Sequence, residues 1–382
     1  MPVSNWITRS RNILPIGLDI GHSAIKMVQL VIADDGMRVL ASDRVPVDWD
    51  AAEGDARRRM IVSAIRQILA RGHFKGRDVI SAIPPDKLRI TSLRLAEAEV
   101  IHADKTLRKE AAHRFGLDAR VDAINYVLAG TVRQGDELKN EYILFATDDK
   151  TIKNHITLLE EAGLTPTGID AGPCALFRNF ERTMRRQEDR ERTIIFIDVG
   201  HRHTIVVFGR ADEICFVKQM AFGAARFAED IAAKLEITTS DAESLRRKMR
   251  TGESVDATTR RLVVDTLHAT AEQLAAEISL CLRYYTVTFR GKRVERAIMA
   301  GGGAHEATLL DVMRHHLAID TDMAAPLQGP DLEPDKAADN LCELSSDYAM
   351  AIGLSLKGSR PSPVATPGYD SCPERIVEEV PS

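Results

Sequence analysis

Residues 15–47 read PIGLDIGHSAIKMVQLVIADDGMRVLASDRVPV. Three β-rich runs are separated by turn signals at Gly21-His22-Ser23 and Asp34-Asp35-Gly36, which predicts a three-stranded meander. Downstream, Ala51 to Arg71 sets Ile61, Ile65, Ile68 and Leu69 at helical spacing, opposite Arg57, Arg58, Arg59 and Arg66. That pattern predicts an amphipathic helix. Asp78 to Ile83 follows as a short strand, stopped by Pro84-Pro85, which cannot continue a ladder. The order is therefore βββαβ.

The same opening returns at residues 193–220, TIIFIDVGHRHTIVVFGRADEICFVKQM. An offset of 179 residues lays Asp19 on Asp198, Gly21 on Gly200 and His22 on His201. Self-similarity at a fixed offset predicts a duplicated α/β chain with two lobes, 13–87 and 193–357. Between them, 88–172 reads as an inserted α/β subdomain: a strand from Leu88, a helix near Glu97 to Phe115, strands at Ala123–Gly130 and Glu141–Ala146, and a helix from Lys150 to Ala162. The charged stretch ERTMRRQEDRER, 181–192, reads as solvated helix and places an interlobe connection at 173–192. Arg261 to Arg290 is a long helix candidate in an outer subdomain of about 221–292. The segment 358–382 holds five prolines and little periodicity, so it is expected to be a disordered tail.

The 382 residues exceed one average core, and 44% hydrophobic with 28% charged residues excludes global disorder. A net charge of -5 leaves no basic surplus for a run of phosphates, so nucleic acid is not an expected partner. The five cysteines form no CxxC pair and are read as reduced thiols of a cytoplasmic protein. MPVSNWITRSRN lacks the apolar run of a secretory signal, and no stretch reaches the ~20 apolar residues of a membrane span. Any membrane role would then depend on something else holding the chain there.

A D-x-G turn between strands brings backbone amides close to phosphate oxygens while its aspartate faces a hydrated magnesium ion. One copy is most often a plain hairpin. Two copies at equivalent places in duplicated lobes could face one another across a cleft and enclose one phosphate chain. Ala297-Ile298-Met299-Ala300-Gly301-Gly302-Gly303 adds a strand ending in glycines, which lets a flat ring or phosphate approach the backbone. Neither a GxxxxGK[ST] loop nor a Rossmann GxGxxG accompanies them.

Leu18-Asp19-Ile20-Gly21 with Lys26, Asp198-Val199-Gly200 with Thr204, and Gly301-Gly302-Gly303 resemble the phosphate-1, phosphate-2 and adenosine motifs of the actin, heat-shock chaperone and sugar-kinase superfamily. IGLDIGHSAIKMVQL, QMAFGAARFAEDIAAKLEITTSDAESLRRK and AIMAGGGAHEATLLDVMRHHLAIDTDMAAP more narrowly resemble the PilM/FtsA family of actin-like proteins, over residues 13–357. YAMAIGLSLKG resembles that family's terminal connecting helix.

The resemblance implies an actin-like ATPase fold of two ribonuclease H-like lobes and an ATP site. Asp19 and Asp198 would hold Mg²⁺ through water, Gly21, His22, Ser23 and Gly200 would approach phosphates, and Lys26 would supply charge. Gly301, Gly302, Gly303 and Gly223 would border adenosine. It also implies a scaffold of a type IV pilus or related secretion machine, peripheral at the inner membrane through a PilN-like bitopic protein, with other platform components and a homo-oligomer as further partners. An FtsA-like division protein and a small-molecule kinase are the alternatives.

The chain departs from the family pattern in three places. His201-Arg202-His203 stands where a small residue is usual, and reads either as phosphate contacts or as surface side chains. Phe222-Gly223-Ala224 replaces Phe-Gly-Gly. Gly172 stands where many relatives have a glutamate able to orient water, which implies at most slow hydrolysis. His201-x-His203 and His315-His316 lack the further ligands of a tetrahedral metal site and are read as structural. Arg57-Arg58-Arg59 is read as a solvated helix face rather than a lipid contact.

Overall fold

The computed structural model describes residues 13–33, 36–47, 54–182, 184, 192–289, 293–306, 308–325, 332–333 and 345–359. The meander forms as β1 Ile16–Ile20, β2 Ala24–Ala33 and β3 Gly36–Pro46, followed by α1 Gly54–Arg71 and β4 Asp78–Ala82. The next elements are β5 Arg89–Ala96, α2 Ala103–Phe115, β6 Ala123–Gln134, β7 Glu137–Thr147, α3 Asp149–Glu161, β8 Thr165–Asp170 and α4 Gly172–Glu181. The second half opens with β9 Thr193–Val199, β10 Thr204–Arg210 and β11 Glu213–Met220. Three helices follow, α5 Ala225–Leu235, α6 Thr239–Thr251 and α7 Ala257–Thr288, then β12 Val294–Ala300, α8 Leu309–Leu317, β13 Asp320–Met323, β14 Leu332–Glu333 and α9 Ala349–Leu356.

The duplication is visible in the sheets. One sheet runs β14-β3-β2-β1-β4-β8 and another runs β11-β10-β9-β12-β13. Each is an antiparallel meander whose first strand pairs in parallel with a later strand. The 179-residue offset holds at the level of pairs, because Asp19 faces Lys26 across β1–β2 and Asp198 faces Ile205 across β9–β10.

Packing divides the span 88–172, expected as one insert. β5, β7 and β6 form their own sheet, covered by α2 through Leu107, Ala111 and Ala112. α3 and β8 instead return to the first lobe, where Leu159 and Leu164 join Ile61, Ile65 and Ile68 of α1, and β8 extends the sheet beside β4. The physical reason is that β4 has an open parallel edge that β8 satisfies, while α3 covers apolar surface that α1 leaves.

α9, expected within the second lobe, packs on the first lobe's sheet against Val28, Leu30 and Val39. Its other side meets α4. All eight of its residues are buried, and Ser355, its one polar side chain, donates to the Pro15 carbonyl. The close crossing needs Gly17 and Gly353: a Cβ on Gly17 would overlap the Ala351 carbonyl, and one on Gly353 would overlap the Ala175 carbonyl. Arg178 of α4 donates to the Gly353 carbonyl at 2.8 Å and pairs with Asp170, as does Lys357, so charge ties the crossing helices to the end of β8. Of the expected interlobe connection, 183 and 185–191 lie outside the described residues, as does 360–382 of the expected tail.

Candidate functional site

The two D-x-G hairpins close in the same way. Gly21 N–H donates to Ala24 O at 3.1 Å, and Gly200 N–H donates to His203 O at 2.9 Å, again 179 residues on. Their tips approach each other, with the His22 and His203 rings 5.5 Å apart. Between the hairpins lies a cavity of about 340 Å³. Asp19, Gly21, His22, Ser23 and Lys26 line it from one lobe; Asp198, Gly200, Gly301, Gly302 and Gly303 line it from the other. Residues separated by up to 284 positions thus share one cleft, because the mixed sheet of each lobe presents its hairpin to it.

Thr204 and Gly223, the other two residues implied by the resemblance, do not line the cavity. Thr204 is fully buried and its hydroxyl donates to the Phe222 carbonyl at 2.7 Å, tying the second hairpin to the segment before α5. Gly223 packs against the backbone of His201 and Arg202. Both shape the wall from behind.

The floor is rich in carboxylates. Lys26 Nζ lies 3.8 Å from Asp19 Oδ2. Burial still raises the Asp19 carboxyl above its ordinary value, with the Lys26 charge opposing and Asp347 adding to the rise. Asp198 is pushed up to about 7, by burial first and then by the negative charge of Asp19; Lys26 opposes this and Asp347 adds to it. For Asp347, just before α9, burial pulls upward, but the His305 hydrogen bond and the charges of Lys26, His305 and Arg44 win and lower it. Arg44 reaches Asp347 Oδ2 at 3.2 Å, and His305 Nε2 lies 3.2 Å from Oδ1.

Two elevated carboxyls converging on a cavity make a site that gains stability from a cation. Oxygen donors of this hardness suit Mg²⁺. The glycine wall fits a nucleotide equally well. Gly301 has φ +86°, and a Cβ there would stand 2.6 Å from Asp198 Oδ1 and 2.5 Å from the Val199 carbonyl. Any side chain would fill the space beside the acid.

Beyond the glycines, Arg246 of α6 pairs with Glu243 at 2.5 Å and with buried Glu306, and its guanidinium lies 5.7 Å from the Phe227 ring centroid. Its buried Nε has no hydrogen-bond partner. Arg44, Glu243, Arg246, His305 and Asp347 line the cavity, yet none stood out in the sequence. Asp347 had one usable signal, an acid two residues before the nearly all-apolar octet AMAIGLSL. The others carry no spacing rule, since only the tertiary fold brings α6 and the start of α9 to the glycines.

The sequence matches the family model for the type IV pilus assembly protein PilM over residues 17–359. The chain belongs to the PilM family. A PilM–PilN type IV pilus biogenesis complex is similar to this family member with a TM-score of 0.74 at 19% identity, covering 91% of this chain and 99% of that one. The ethanolamine utilization protein EutJ from Carboxydothermus hydrogenoformans is similar with a TM-score of 0.52 at 11% identity, covering 90% and 89%. At these identities the two likenesses concern the fold, which is the actin-like ATPase fold. No curated protein sequence matches the chain. Among the described residues, no helix of this PilM-family chain is long and apolar enough to cross a membrane.

Proposed function

We propose that this PilM-family protein is a cytoplasmic, ATP-binding scaffold of a type IV pilus or related secretion machine, held at the inner membrane by the cytoplasmic tail of a PilN-like bitopic protein. The observation that carries the nucleotide reading is the shared cleft: two acid-bearing hairpins, matched at one offset, face a glycine-walled cavity between the lobes. In this reading Gly21, His22, Ser23 and Gly200 approach phosphates, and Lys26 neutralises their charge. Asp19 and Asp198 orient the water around Mg²⁺, which would supply charge neutralisation. Gly301 to Gly303 and Arg246 border the adenosine.

Supporting the partner are family membership and the fold shared with a PilM found in complex with PilN. The cleft lies between lobes joined by the α4–α9 crossing, so occupancy biases their closure. Such coupling requires the partner to bind the closed form more tightly. No residue is assigned to catalysis.

Calorimetric titration of the full chain tests both parts. Mg·ATP should bind, and a peptide of a PilN-like cytoplasmic tail should bind more tightly with ATP than without nucleotide. Equal peptide affinity with ATP, ADP or neither would remove the switch and leave the scaffold. No nucleotide binding would remove the cleft assignment.

A further inference from the structure

The His201-Arg202-His203 stretch has no side-chain role in the reading above. We propose that His22 and His203 form a clamp of two imidazoles, one from each lobe, that receives the terminal phosphate of a nucleoside triphosphate and makes the cleft prefer it to the diphosphate. The proposal rests on the nucleotide reading of the cleft and assigns the part of the site that distinguishes one phosphate chain length from another.

The geometry supports this in three ways. First, the rings are 5.5 Å apart and tilted by 52°, each carried by a hairpin tip that the other lobe's hairpin opposes. The His22–His203 pair bridges the lobes at the cavity wall itself. Second, His203 Nδ1 is buried and has no hydrogen-bond partner. A buried polar atom left without a partner costs about 1–3 kcal/mol, so its persistence at a cavity wall points to a ligand group that completes it.

Third, Arg202 and Pro85 line the cavity together with the two histidines and the glycines, and Asp198 Oδ1 lies beside Gly301. In this proposal the phosphate chain runs from the glycines past the acids, and its last phosphate meets the rings.

The electrostatics agree. His22 is pushed down to about 4, by burial first, then by Arg57 of α1, His203 and Arg202, with Asp86 opposing. Burial likewise lowers His203, with Asp86 opposing and Arg202 adding. Two neutral rings approach without repulsion, and each retains an N–H to donate to a non-bridging phosphate oxygen. Arg57 and Arg202 add positive potential beside the rings, which suits the charge of a terminal phosphate.

The test is titration of the full chain and of His22→Ala, His203→Ala and His203→Asn with Mg·ATP and Mg·ADP, with melting temperature as the fold check. Each alanine variant should weaken ATP binding about tenfold and ADP binding less than about threefold, since a hydrogen bond to a charged group is worth this much. His203→Asn places an amide donor near the Nδ1 position and should recover part of the ATP affinity. Equal losses for ATP and ADP, or unchanged ATP affinity, would overturn the clamp while leaving the nucleotide site. A wild-type chain that binds neither nucleotide would overturn both.

Discussion

In the first lobe Asp19 faces Lys26 across its hairpin; in the second, Asp198 faces Ile205 at the same register. The backbone of the turn is repeated to the hydrogen bond, but only the first copy places a cation opposite its aspartate. Asp198 is pushed up to about 7, by burial first and then by Asp19, and the one charge that opposes this is Lys26 of the other lobe.

Two more positions diverge. Gly17 in β1 corresponds at the 179-residue offset to Phe196 in β9. Gly17 lets α9 lie against the first sheet, whereas Phe196 stacks on Phe180 of α4 at 4.9 Å. Ser81, opposite Leu18, corresponds in register to Met299, opposite Ile197. Ser81 donates to the Leu18 carbonyl and accepts from buried His155, while Met299 is fully buried and apolar. Duplicated sheets thus fix where a side chain points, and substitutions at equivalent points give each lobe its own task.

The largest expected effect comes from removing the glycine half of the Gly17/Phe196 contrast. Gly17→Ala should destabilise the chain by about 3 kcal/mol in urea unfolding, because the methyl meets helix backbone that cannot yield. A near-neutral result would mean that α9 can lift off β1.

The Ser81–His155 plug should make the first lobe acid-sensitive. Burial pushes His155 down to about 4, so the unfolded chain takes up its proton near the ordinary value of 6.5 while the fold stays neutral. Stability is full above that value and falls as pH drops toward 4. Between pH 7 and 5 the loss is about 2 kcal/mol by linkage. His155→Gln should flatten that part of the stability–pH curve, and an unchanged slope would place the sensitivity elsewhere.

The acids allow a sharper comparison. Asp198→Asn and Asp19→Asn should each weaken Mg·ATP binding about tenfold in calorimetry. Asp198→Asn should also raise the melting temperature at pH 8, since it removes a buried charge that faces Ile205 rather than a cation across its hairpin. Unchanged affinity in both variants would remove the proposed metal role.

The smallest effect is expected from Lys26→Met, which leaves Asp19 without its ion pair and should cost about 1 kcal/mol of stability. It should also raise the Asp19 pKa further, measurable by carboxyl NMR titration.

Much of this was legible in the chain itself. Alternating apolar runs defined both meanders, and D-x-G at one offset marked the duplication. The helices expected over Ala51–Arg71 and Arg261–Arg290 correspond to α1, which ends at Arg71 as expected, and to α7, which begins earlier, at Ala257. These features are local: hydrophobic period and turn chemistry depend on neighbours in sequence.

Tertiary structure alone decided the rest. That β8 returns to the first sheet, that α9 leaves the second lobe to cross α4, and that Arg246 and Asp347 join the cleft follow from which apolar faces and open strand edges remain to be covered. Thr204 shows the same limit from the other side, since its motif position suggested a ligand contact and its hydroxyl went to a backbone carbonyl. Sequence specified the matching hairpins because turn geometry is local; packing specified what surrounds them because burial is a property of the whole chain.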